Sequence, residues 1–265
     1  MKLELQLGAQ RFRVMTDKAT DLSQPVRFDG PQPRFFGVEA ATSRPIKDGE
    51  FIGDTRAGGS CNVNELRLTP HCNATHTESA AHVSHLAPTI DTVAPLNLIP
   101  ALVVSIEGDA NSAESYPVAL RNEDRLITAA ALRSAMAGSP DSPQAKAIVI
   151  RTGAHPNTDF DQTAYPFFSI EAANYLAESP IQHLLIDTPS VDRADDQGRL
   201  AAHRAFFGLP TAGVSCEQLP ARTITELIIV PPALSDGMYL LNLGVPPLVT
   251  DAAPSRPVLY PIKPC

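Results

Sequence analysis

The chain has 265 residues and a formal net charge of -8; 43% of its residues are hydrophobic, 19% are charged and 25 are prolines. This length and balance suit one large folded domain over 1–265, with 1–15 read as an N-terminal hairpin extension. The acidic surplus, without any Lys/Arg run, argues against nucleic-acid binding; no apolar run is long enough to span a membrane, and four cysteines are too few for a disulfide framework. The N-terminal residues lack the apolar core of a secretory signal, so a reduced, cytoplasmic protein acting on a small molecule is expected.

In chain order, Lys2–Leu7 and Arg11–Val14 read as a hairpin around Gly8, and 16–60, rich in Pro, Gly and Asp, as an irregular arm with one strand at most. Ala101–Ile106 is a buried strand bounded by Pro100 and Gly108. Thr128 caps a helix that runs through Met136, with Gly138 near its end. Ala145–Ile150 is a second apolar strand. Ser169 caps a helix over about 170–179, stopped by Pro180. His183–Ile186 is a third buried strand, Leu200–Phe207 a helix ending at Gly208, and Glu226–Val230, Tyr239–Leu243 and Val258–Ile262 are late strands. Strands alternating with helices in the middle, with strand-rich ends, indicate a mixed α/β domain.

One stretch concentrates chemistry. His71-Cys72-Asn73-Ala74-Thr75-His76-Thr77-Glu78-Ser79-Ala80-Ala81-His82 holds three of the seven histidines, one cysteine and one glutamate. On a strand, Cys72, His76 and Glu78 share a face; on a helix, Cys72 and His76 lie one turn apart. Both arrangements favour Cys72 over His71 as the partner of His76. A thiolate, an imidazole and a carboxylate together suit a zinc-like ion. The spacing fits neither the metalloprotease helix nor a zinc finger. By residue type alone, His183 reads as structural, and Asp187 and Asp192 as turn residues.

The stretch from Thr75 to His82 resembles the His-x-Gly-Thr-His-x-Asp-x-Pro-x-His signature of the metal-dependent cyclase/kynurenine formamidase family. Asp21-Leu22-Ser23, Ile150-Arg151-Thr152-Gly153, Ile186 to Asp192, His203 to Glu217 and Ser255-Arg256-Pro257-Val258 resemble further family segments in the same order. The resemblance implies an α/β swivelling β/β/α domain of mixed sheet with a barrel-like core, assembled as a homodimer or homotetramer. It implies one or two divalent ions, zinc or manganese, and hydrolysis of formamides or cyclic amides. Carried over position by position, it makes His76, Glu78, His203 and Glu217 metal ligands, puts Cys72 in the place of the first ligand histidine, and makes His82 catalytic. His71 is an alternative first ligand, and Glu217 is further expected to orient His82 or the water.

Four departures mark a divergent branch: Cys72 for His, Ala74 for Gly, Glu78 for Asp, and Ala80 for Pro. The thiolate favours zinc over manganese. Phe35, Phe36, Phe167 and Phe168 are candidate pocket residues. The expected reaction is attack of an activated water on an amide or formamide, with His82 moving the proton to the leaving nitrogen. Competing expectations are a lyase or cyclase in the same site, a non-catalytic metal- or ligand-binding relative, and a Cys72 nucleophile.

Overall fold

The computed structural model describes residues 3–139, 144–153, 164–209 and 219–265. Its centre is four parallel strands, Ile99–Ser105, Ala147–Arg151, His183–Ile186 and Thr223–Glu226, paired in that order. Their near-continuous apolar runs follow from burial on both faces. Alternation along each strand sorts the side chains. Leu102, Val104, Ile148, Ile150, Leu184, Ile186 and Ile224 point to one core, with Leu132, Leu176, Phe206 and Phe207 of the helices. Ala101, Val103, Ala147, Val149 and Leu185 point to the other, with Tyr239, Leu241 and Leu259.

Antiparallel strands extend both sides. Gly237–Asn242, Val258–Pro264 and the hairpin Leu3–Leu7/Gln10–Val14 continue from Ile99–Ser105. His76–Glu78 and then Ala252–Pro254 continue from Thr223–Glu226. The result is an 11-stranded mixed sheet running from Leu3–Leu7 to Ala252–Pro254. These two ends do not pair among the described residues, so the expected barrel-like core is here an open sheet.

Helices Ala129–Ala137, Ile170–Glu178 and Ala201–Phe207 cover one face. The caps read from sequence are in place. The Ala131 N–H donates to Thr128 Oγ1 at 3.1 Å and the Ala172 N–H to Ser169 Oγ at 2.9 Å, while Gly208 ends its helix at φ 73°.

Two expectations need correction. The arm is not irregular: Thr42–Pro45 pairs with Asn64–Arg67 and Lys47–Asp48 with Phe51–Ile52. The strand expected at Glu226–Val230 lies earlier, at Thr223–Glu226. It ends there because Leu227 adopts φ 57°, which breaks the extended run. Glu226 therefore closes a strand beside His76 instead of opening one.

His183, buried on its strand with Nδ1 2.9 Å from Thr223 Oγ1, gives a stability test. Burial pushes its pKa down from 6.5 to about 4. The folded form then resists protonation while the unfolded form takes a proton below pH 6.5. Stability should fall by roughly 3 kcal/mol between pH 6.5 and about 4, from about 1.36 kcal/mol per unit. Denaturant titrations at several pH values should show this loss in the wild type and much less of it in His183→Gln.

Candidate metal centre

The site gathers at the sheet edge where His76–Glu78 lies between Thr223–Glu226 and Ala252–Pro254. Glu226 stands opposite His76, and Ile224 and Ala252 stand opposite Glu78. A short helix, Pro70–Asn73, precedes the edge strand. Pro70 suits its first turn, and Ala74 at φ -145° ends it. After Glu78 a 3-10 turn, Ala80–His82, is capped by Ser79 Oγ accepting from the Ala81 N–H at 3.2 Å. Helix, strand and turn follow within a dozen residues, so neither continuous periodicity describes the histidine stretch. The turn swings the His82 ring back over the strand it has just left.

His203 comes from the opposite side, on the helix Ala201–Phe207. Asp192 builds its position: the carboxylate accepts from the Ala202 N–H at 2.8 Å, the His203 N–H at 3.1 Å and the Tyr116 hydroxyl at 2.7 Å, and it lies 2.7 Å from His203 Nδ1. Burial opposes ionisation of Asp192, but His203 and these donors hold its pKa below the usual carboxylate range. An ionised carboxylate only accepts, so His203 carries its proton on Nδ1 and Nε2 faces inward. His76 is set likewise, with Nδ1 3.1 Å from the Ala74 carbonyl oxygen.

Glu78 is the hub, fully buried. Its Oε1 lies 3.0 Å from His203 Nε2, and its Oε2 lies 3.2 Å from His71 Nδ1 and 3.9 Å from His82 Nε2. Glu226, also buried, lies 3.4 Å from His76 Nε2 and 3.5 Å from His203 Nε2, and accepts from the Val191 N–H at 2.8 Å. Desolvation opposes ionisation of both glutamates, but the surrounding imidazoles hold both pKa values below normal, that of Glu78 far below. Burial alone would lower the His203 pKa, yet Glu78 and Asp192 raise it well above normal. For His71, the hydrogen bond to Asp251 and the nearby Glu78 carboxylate overcome burial and raise the pKa to about 10. His82 is lowered, chiefly by burial.

Four of these buried atoms lack a hydrogen-bond partner: His76 Nε2, Glu78 Oε1, Glu78 Oε2 and His203 Nε2. His203 Nε2 and Glu78 Oε1 are close without the alignment of a hydrogen bond. Lone pairs converging in a desolvated space are costly unless a cation or a proton lies among them. Two ligand groups share Glu78: His71, His76 and Glu78; and Glu78, His82 and His203. Imidazole and carboxylate donors in this arrangement fit a divalent cation, and each anchored histidine has its outer nitrogen held as metal-ligating histidines do.

The structure thus brings together His71, His76, Glu78, His82 and His203. Cys72, expected as the first ligand, belongs to none of the metal-binding groups among the described residues; its side chain packs in an apolar cluster with Phe35 and Leu227. Neighbouring residues on a helical turn point about 100° apart; His71 falls in a ligand group, while Cys72 is buried with the apolar cluster at the wall of the same cavity. Glu217 lies outside the described residues. Of the four candidate pocket phenylalanines, only Phe36 lines the cavity of about 370 Å³ beside the cluster, with His71, His82, Arg193, Leu200 and His203. Phe35, Phe167 and Phe168 are buried core residues. Sequence reasoning missed Glu226, Asp192 and Asp251. The alternation Thr223-Ile224-Thr225-Glu226, read as one strand with a charged end on a buried face, was the available signal for the first.

A family model described as "Putative cyclase" matches residues 20–193. The chain belongs to this cyclase family. The match takes in His71, His76, Glu78, His82 and Asp192, whereas His203, Glu226 and Asp251 follow it. A kynurenine formamidase of Bacillus thuringiensis (strain Al Hakam) is 25% identical over 255 residues, covering 93% of this chain and 99% of that one. Among solved structures, a protein described as a "predicted metal-dependent hydrolase" from Bacillus stearothermophilus superposes with a TM-score of 0.59 at 17% identity, over 92% of this chain and 98% of that one. Isatin hydrolase A from Labrenzia aggregata does so with a TM-score of 0.63 at 14% identity, over 92% and 93%. These structural likenesses establish the mixed α/β family fold. Among the described residues no helix is long and apolar enough to cross a membrane.

Because Asp192 fixes the ring of His203, Asp192→Asn should weaken divalent-metal binding by about 10- to 100-fold. Competition against a chromophoric chelator measures this; wild-type affinity in the variant would show that Asp192 only packs.

Proposed function

We propose that this chain is a metal-dependent hydrolase of a small amide, formamide or cyclic amide. The observation that carries the reading is Glu78, buried with both carboxylate oxygens unpartnered and shared between two histidine groups. His71, His76, Glu78, His203 and Glu226 would hold one or two divalent ions. With Cys72 in the apolar cluster the thiolate argument for zinc falls away. The imidazole-rich donor set still favours zinc over manganese. A divalent ion bound there supplies a Lewis acid that acidifies water and polarises a carbonyl.

The chain's own residues supply the rest. His82 is partly exposed at the cavity, and its lowered pKa keeps it neutral near pH 7. Its Nε2 faces Glu78 and is the atom placed to take a proton from the attacking water. The same nitrogen returns that proton to the leaving amide nitrogen, so that water adds across the C–N bond. The cavity of about 370 Å³, with Phe36 and Leu200 in its lining, is of a size for a small organic molecule. The relatives' names agree: kynurenine formamidase and isatin hydrolase both denote C–N hydrolases.

His82→Ala should retain the metal content of the wild type and lose about 10²- to 10⁴-fold in kcat on an aryl formamide or cyclic imide that the wild type hydrolyses. Metal analysis and steady-state kinetics on the same preparation test this. A normal kcat in the variant would remove His82 from the chemistry, and a loss of metal would make it a ligand.

A further inference from the structure

We infer that Asp251 is the positioning residue of this centre: it orients His71 to bind the ion through Nδ1, in place of Cys72, and sets His82 with its Nε2 toward Glu78. The inference rests on the proposed metal site and adds to it which residue replaces the first ligand and what makes that replacement work.

Asp251 is held on three sides. It immediately precedes the strand Ala252–Pro254, whose Ala252 pairs with Glu78. Its carbonyl oxygen accepts from the Ser79 N–H at 2.9 Å and from Ser79 Oγ at 3.3 Å. Its Oδ1 accepts from Thr250 Oγ1 at 2.9 Å. The remaining oxygen, Oδ2, faces two imidazoles: His71 Nε2 at 2.8 Å and His82 Nδ1 at 3.5 Å.

Those rings are stacked, with centroids 4.2 Å apart and planes 30° from parallel. Their inner nitrogens look the other way. His71 Nδ1 is 3.2 Å and His82 Nε2 is 3.9 Å from Glu78 Oε2. Both rings therefore lie between two carboxylates: His71 is hydrogen-bonded to Asp251 on its outer side, His82 faces Asp251 at a longer distance, and the inner nitrogen of each points toward Glu78. A carboxylate is ionised at neutral pH and only accepts. A neutral imidazole has one N–H and one lone pair. Asp251 draws the His71 N–H outward and leaves its Nδ1 lone pair facing the ion site, while Oδ2 at 3.5 Å from His82 Nδ1 favours the same orientation of that ring.

The replacement also explains the departure from the family motif. Cys72 stands at the motif's first ligand position, but it is packed with Phe35 and Leu227. His71, one residue earlier on the short helix, has its ring edge-on to His76 with centroids 4.8 Å apart. A ligand shifted by one residue needs a new outer anchor, and Asp251 provides it.

The test uses the full-length protein stripped of metal and reloaded with zinc or cobalt. The cobalt form of the wild type should lack a thiolate-to-cobalt charge-transfer band, and Cys72→Ala should bind zinc within about twofold of the wild type. Asp251→Asn should lose about 10- to 100-fold in zinc affinity at unchanged metal stoichiometry. Its kcat should fall far more than its KM changes, and the metal-free melting temperature should stay near that of the wild type. A thiolate band, or loss of metal in Cys72→Ala, would overturn the replacement; these two readouts stand even if Asp251→Asn does not fold. Wild-type zinc affinity in Asp251→Asn, or loss of a whole equivalent of metal, would overturn the positioning role. A wild type that takes up no divalent ion would instead defeat the proposed function from which the inference starts.

Discussion

A carboxylate without water around it is the constraint on which this molecule turns. Glu78 is fully buried, and so nearly is Glu226 close by. Desolvating one ionised carboxylate costs several kcal/mol, and two near each other cost more unless positive charge is supplied. Four imidazoles gather round Glu78 and Glu226 for that purpose. In the metal-free protein the carboxylates raise the pKa values of His71 and His203, so that protons on these rings meet the need. A divalent cation meets it with better geometry, because the orphaned lone pairs converge rather than align with one another.

The fold serves this cluster by placing it where the sheet changes character. The four central strands are parallel, the first three of them largely apolar, and they set the position of the fourth, Thr223–Glu226, from the interior outward. Beyond that strand the pairing turns antiparallel, and polar side chains replace apolar ones. Thr77 Oγ1 lies 2.8 Å from Thr225 Oγ1 and 2.9 Å from Ser255 Oγ, lacing the three edge strands together. Glu78 and Glu226 are thus carried on backbone already paired on at least one side, while His203 is held by a helix fixed at its N-terminus through Asp192. Rigid carriers of this kind keep ligands in place before any ion arrives.

Local signals were enough for the strands and helices of the centre. The apolar runs around Val103, Val149 and Leu185, and the caps at Thr128 and Ser169, lie where the sequence indicates. His76, Glu78, His82 and His203 were legible because the family motif marks them. Cys72 lies outside the ligand groups of the described residues because a helical turn, a strand and a 3-10 turn succeed one another, and no continuous strand or helix sets its register with His76. Glu226 was hidden by a strand boundary set a few residues late. Asp192 and Asp251 have no local signature: each looks like a turn residue, and only the tertiary structure brings His203 or His71 to its carboxylate. Phe167 and Phe168 lie in a two-residue parallel pairing with Leu126–Ile127, which carries them into the core rather than to the cavity.

Metal content per chain, measured by inductively coupled plasma mass spectrometry on protein purified without chelator or metal-affinity resin, tests the central claim most directly. The account predicts about one or two equivalents of a divalent metal, zinc foremost, retained through dialysis. Near-zero metal, with no uptake after zinc or manganese is added, would contradict it, and the buried cluster would then be a charge network satisfied by protons alone.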